Sequence, residues 1–117
     1  MKEELLKRTF NSSKSTIYFI NKLPRNTVNL TLRKQLLRSI TSIGANYREA
    51  LEAESKKDFI HKLAICKKEA RESIYWLNLI LENNPSIKKK LGPIIDESQQ
   101  FVKIFASSIK KKKKNIL

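Results

Sequence analysis

The 117-residue sequence predicts an all-α protein, an antiparallel up-down-up-down bundle of four helices in a single domain, and three observations carry that expectation. Apolar residues recur at alternating three- and four-residue steps in four successive stretches, the spacing that turns one face of a helix toward a neighbour. Two Gly and three Pro leave few places where a helix must stop. The corners between the stretches are short, as consecutive packed helices require.

The first stretch, about 3–23, places Leu6, Phe10, Ser13, Ile17 and Ile20 on one face. Leu23-Pro24 ends it, because the residue before proline is pushed out of the helical region. Asn26 or Thr27 can cap the second stretch, about 28–54. There Leu32, Leu36, Ile40, Ile43, Tyr47 and Ala50 form one stripe, and Leu30, Leu37, Gly44 and Leu51 recur beside it every seven residues. So wide an apolar face implies more than one neighbour. Gly44 costs up to ~1 kcal/mol against Ala inside a helix, which points to a close helix crossing at Gly44-Ala45.

Ser55 is the expected N-cap of the third stretch, about 56–83, with Asp58 three residues on. Phe59, Leu63, Cys66, Ala70, Leu77 and Ile80 form its buried face. The pattern fades at Glu82-Asn83-Asn84, and Pro85 suits the first turn of a new segment. Residues 86–92 leave room for one or two turns before Gly92-Pro93, where a break is expected. The fourth helix, about 93–113, then carries Ile94, Ser98, Val102, Phe105 and Ile109, and residues 110–117 read as a basic C-terminal tail.

Composition narrows the function. The lone Cys66 excludes an internal disulfide, and one Cys beside one His supplies too few ligands for a protein-built metal site, so neither metal nor cofactor is expected. A reducing cytoplasm is the expected compartment. No apolar run approaches the ~20 residues of a membrane span, and a membrane is not the expected partner, although Lys110–Lys114 with Ile116-Leu117 resembles a peripheral anchor to anionic lipid. The formal charge of +14 is uneven: residues 87–117 hold nine cations and two carboxylates.

That excess nominates a phosphate-binding set: Lys88, Lys89, Lys90, Lys103, Lys110, Lys111, Lys112, Lys113 and Lys114. Five lysines on duplex phosphates would make log K fall with log salt at a slope of about −4 to −5, whatever the base sequence. Lysines at a helix C-terminus also complement the helix dipole and aid solubility, so the run has a purely structural reading as well. Tyr18, Phe19, Tyr75 and Trp76 are aromatic pairs in which one ring belongs to the core and its neighbour faces another helix or subunit; base stacking is the alternative use. Arg38, Asn46, Glu49 and Glu72 read as a structural polar network, because no nucleophile, glycine-rich phosphate loop or metal ligand accompanies them. No enzymatic activity is expected. His61 reads as a surface residue and Cys66 as a small core residue.

The middle of the chain carries an ordered set of pieces: Arg38-Ser39, Ser42-Ile43-Gly44-Ala45-Asn46-Tyr47 with Glu49-Ala50, Ser55-Lys56-Lys57-Asp58-Phe59 with Leu63 and Ile65, and Glu72 with Tyr75-Trp76-Leu77. Over about forty residues these resemble the 23S rRNA intervening-sequence protein family. The resemblance implies a left-handed four-helix bundle that assembles as a ring-like homopentamer, encoded in some bacteria within insertions in the large ribosomal RNA gene. It also implies kinship of fold with the accessory variability determinant of diversity-generating retroelements, a basic pentamer that binds a reverse transcriptase and its RNA. The expected partners are therefore other copies of the chain, the phosphate backbone of RNA or DNA, and, as the alternative, a reverse transcriptase or ribonucleoprotein for which the chain is a scaffold.

Overall fold

Four helices account for nearly all of the computed structural model, which describes residues 2–116, with the side chains of 115 and 116 left aside. They are α1 (Lys2–Ile20), α2 (Thr27–Leu51), α3 (Lys56–Asn83) and α4 (Lys88–Ile116), with one 3₁₀ turn at Pro85–Ile87. The described residues contain no strand, and together the helices make a rod of 50 × 21 × 20 Å.

The caps follow the sequence. Asn26 is extended, and its side chain accepts from the Asn29 amide, starting α2. Ser55 does the same for the Asp58 amide at the start of α3, 3.0 Å away. At the far end of this pair Asn29, 2% exposed, exchanges amide hydrogen bonds with Asn84 at 3.2 and 2.9 Å, tying the start of α2 to the end of α3. Buried amides need partners, and here each supplies the other. Partners further along run in opposite order on the two helices: Ser39 meets Ser73, Ile43 meets Cys66, and Glu49 meets Lys62.

All six residues of the main α2 stripe are buried, as are Leu63, Cys66, Ala70, Leu77 and Ile80 on α3, while Phe59 packs at the margin. Of the second α2 stripe, Gly44 lies against α1, Leu37 and Leu51 are half-buried, and Leu30 is exposed. Gly44 marks the closest approach: a Cβ there would lie 3.1 Å from Thr9 Oγ1 and 3.3 Å from Thr9 Cβ.

Helix α1 corrects the expected face. Leu5, Thr9, Ser12, Thr16, Phe19 and Ile20 are buried, whereas Phe10 and Ile17 are 62% and 46% exposed. Both stripes share the same three-and-four spacing, one residue apart, so periodicity cannot choose between them. The choice falls to size, because only small side chains fit where α1 crosses Gly44. Thr9 and Thr16 donate their hydroxyls to the carbonyls of Leu5 and Ser12, each at 2.8 Å, which removes most of the cost of burying them.

Helix α4 also departs from expectation, beginning at Lys88 and running through Pro93. Leu91 explains this: 1% exposed, it lies three residues before buried Ile94, so the helix extends backward to seat it. Pro93 is exposed, and a Cβ on Gly92 would meet nothing, so the Lys89 carbonyl that loses its helical donor faces water. Phe101, rather than Val102, fills the centre, with Ser98 and Phe105. The helix then continues through Lys110–Lys114, so these lysines stand on a regular helix and not on a frayed tail.

Candidate nucleic-acid interface

The bundle splits the candidate lysines into separate groups. Lys88–Lys90 open α4 and Lys110–Lys114 close it, at least twenty residues apart, or about 30 Å along the axis at 1.5 Å per residue. Lys103 sits between them on the α3–α4 flank, beside Arg71, Ile74, Gln99 and Val102. No single patch gathers all nine.

The closing group stands at the α2–α3 corner. Lys112 is half-buried, its Nζ 5.5 Å from the centre of the Phe59 ring, in a hollow with Ala53, Glu54, Ser55 and Lys56. Lys110, Lys111, Lys113 and Lys114 are exposed. This end is mixed in charge: residues 2–7, 48–62 and 103–114 hold twelve cations and six carboxylates.

The opening group stands where α1 ends and α2 begins. Tyr18 is 68% exposed, and Lys22, one turn later, donates to its hydroxyl at 2.9 Å with Nζ 4.1 Å from the ring centre. That hydrogen bond, then the Lys22 charge and more weakly that of Lys90, hold the phenol below its ordinary pKa. Acids are scarce here: residues 14–34 and 78–96 hold eight cations against Glu82 and Asp96. Sequence reasoning named Lys88–Lys90 and Tyr18 separately and missed Lys14, Lys22 and Arg25 beside them, because residues 14–25 and 88–90 lie far apart in the chain.

The aromatic pairs divide one inside, one outside. Phe19 is buried beside exposed Tyr18, and Trp76 is half-buried beside Tyr75, 59% exposed, with the two rings edge to face at 5.0 Å. The Trp76 Nε1 is buried and, among the described residues, has no hydrogen-bond partner.

The four polar residues of the middle hairpin do not form one network. Arg38 reaches Glu72 at 2.8 Å and also Glu69 at 3.2 Å, a partner absent from the expected set. Glu49 instead pairs with Lys62 at 2.8 Å, and Asn46 donates to the Ser42 carbonyl within its own helix. Glu69 occupies the stripe step between Cys66 and Ser73, the position that could have revealed it. Burial first, and then the neighbouring Glu72, raise the Glu69 carboxyl above its usual range, while Glu69 and then Arg38 hold Glu72 below it. Burial also pushes the Cys66 thiol up to about 12, so it stays protonated and inert. A separate clamp joins α1 to α4: Arg8 donates to both Glu97 oxygens at 2.9 and 2.6 Å and to Gln100 at 2.9 Å.

Among the described residues no group of three or more His, Cys, Asp or Glu could hold a metal ion, and no helix is long and apolar enough to cross a membrane. The Ile116-Leu117 pair of the conceivable lipid anchor lies outside the described side chains.

Comparison with known proteins fits this architecture. A crystal structure of a protein of unknown function from the S23 ribosomal protein family of Bacteroides thetaiotaomicron VPI-5482 is 35% identical. It superposes with a TM-score of 0.83, over 94% of this chain and 99% of that one. No curated protein matches. The family model of the 23S rRNA-intervening sequence protein matches residues 2–107, and the chain belongs to that family.

Proposed function

We propose that this chain is a non-enzymatic, cytoplasmic RNA-binding protein: an antiparallel, left-handed up-down-up-down bundle that assembles as a ring-like homopentamer and grips RNA by its phosphates. The observation that carries the reading is the charge, 25 cations against 11 carboxylates, with lysines crowded at the two ends of the rod. Cations placed this way attract a polyanion without reading its bases. The opposite order of partners along α2 and α3 supports the antiparallel topology. Exposed Phe10 and Ile17, seven residues apart on α1, support self-association, because an apolar stripe on a charged rod is stabilised by covering it. In a ring each lysine cluster recurs around the axis, and simultaneous contacts raise affinity well beyond that of one chain.

The non-enzymatic part rests on how the titratable groups are used. Arg38, Glu69 and Glu72 satisfy one another, and the Cys66 thiol is buried and protonated. Gel-shift titration of an RNA duplex at low and at physiological salt tests the binding: strong salt dependence is expected, with clear weakening when Lys110–Lys114 are changed to Gln. Absence of binding at low salt would refute it. Light scattering tests the assembly, and a mass near 13.6 kDa would remove the ring.

A further inference from the structure

We propose that the end of the rod around Tyr18 is a site for single-stranded RNA, where one base stacks on the Tyr18 ring while Lys14, Lys22 and Lys88–Lys90 hold neighbouring phosphates. This rests on the reading of the chain as an RNA-binding protein and gives that reading a location and a strand preference. Three observations converge on it.

The first is the ring. Tyr18 exposes 68% of its surface from a regular helix, and Lys22 sits against it, bonded to its hydroxyl. An aromatic side chain left largely open to solvent and carrying a cation offers a flat, oriented π-surface beside a phosphate-binding charge, the combination that single strands use.

The second is the relief. Helices α1 and α4 meet least of the neighbouring pairs, and one hollow lies between them with another on each side, on α1 and on the start of α4. A hollow of about 340 Å³ is bounded by Asn11, Lys14, Ser15 and Tyr18. Asn11 and Ser15 also bound the next, of about 300 Å³, which reaches Pro93 and Asp96. Those two residues bound a third, of about 720 Å³, edged by Pro85, Lys88 and Lys89. Shared wall residues make the three hollows neighbours between the ring and Lys88–Lys89, with Asn11 and Ser15 as polar groups among them and the Ser12 hydroxyl buried with no partner among the described residues.

The third is the sign of the charge. Residues 14–34 and 78–96 at this end of the rod hold eight cations and two carboxylates, against twelve and six at the other end, and the hollows themselves are lined by Arg8, Lys14, Lys88 and Lys89 with Asp96 and Glu97. Of the two carboxylates bordering the hollows, Glu97 is spent on Arg8, and Asp96 has no ion pair among the described residues.

A duplex buries its base faces and can use only the lysines; a single strand can use the ring as well. The test is fluorescence anisotropy with a labelled mixed-sequence RNA single strand and the duplex of the same sequence, on the full chain. Tyr18→Ala is expected to weaken single-strand binding about tenfold, the low-to-middle range for one lost stack, and to change duplex binding less than about twofold. Tyr18→Phe keeps the ring and is expected to bind as the parent does. Single-strand binding unchanged by Tyr18→Ala, or lost equally from strand and duplex, would overturn the stacking site while the phosphate reading stands. A parent chain that binds neither RNA would overturn both.

Discussion

The seam between α2 and α3 and the seam between α1 and α4 are built differently. The first is closed by large aliphatic side chains, among them Leu36, Ile40, Leu63 and Leu77, all at most 1% exposed, and by the reciprocal Asn29–Asn84 amides. The second is crossed by the Arg8–Glu97 clamp and holds a hollow of about 300 Å³ bounded by Ser12 and Ser15 of α1 and by Pro93 and Asp96 of α4. Packing that excludes water specifies the fold, and packing that leaves grooves lined with polar and cationic groups leaves room for a partner. The difference separates what holds the bundle together from where it can bind.

The sharpest way to break that contrast is to truncate one side chain from each apolar stripe. Leu77→Ala should cost about 2–5 kcal/mol in urea unfolding, because the residue is fully buried. Ile17→Ala, at concentrations where the chain is monomeric, should fall within about 0.5 kcal/mol of the parent. Equal losses would return α1 to the face its periodicity first indicated.

Gly44→Leu should cost about 1–3 kcal/mol, since even a Cβ there presses on Thr9 and further atoms have nowhere to go. A smaller effect would mean that α1 crosses α2 more loosely. Ser98→Ala should stabilise by about 1 kcal/mol, because its hydroxyl is buried with no partner among the described residues. A loss instead would place an unseen hydrogen bond in the core.

The subtlest test is one of pH. The folded Glu69 carboxyl has a raised pKa, so the folded chain holds its proton more tightly than the unfolded chain. Its contribution is fully present below the unfolded pKa and lost as pH rises through the folded value. Glu72 is shifted the other way, so its contribution is present above its unfolded pKa and lost as pH falls through the folded one. Glu69→Gln removes the first decline, and its stability relative to the parent should therefore rise as the pH climbs through the Glu69 titration. A flat difference across that window would show that Glu69 titrates normally.

The fold was largely legible because α2 and α3 carry aliphatic residues at every core step, and because Asn26 and Ser55 announce their helices in type and place. Helix α1 was legible as a helix but not in its facing, since its true core residues Thr9, Ser12 and Thr16 carry no hydropathy signal. Pro93 misled for a related reason: the burial of Leu91, which carries α4 back through the proline, is a tertiary effect. The lysines were visible, but their grouping was not, because one helix of 29 residues carries the two runs to places about 30 Å apart on the rod. Glu69 could be read from its stripe step and Tyr18–Lys22 from their four-residue spacing, but the meeting of Glu69 with Arg38 and of Tyr18 with Lys90 depends on helices crossing the bundle, which no local pattern reveals.

The most direct measurement is the salt dependence of RNA affinity for the parent, a Lys88–Lys90→Gln variant and a Lys110–Lys114→Gln variant, titrated with single-stranded RNA between about 50 and 200 mM salt. Phosphate gripping at both ends predicts a steep parent slope that each variant makes shallower, by about 0.7 for every lysine contact removed. A slope that neither substitution changes would contradict it.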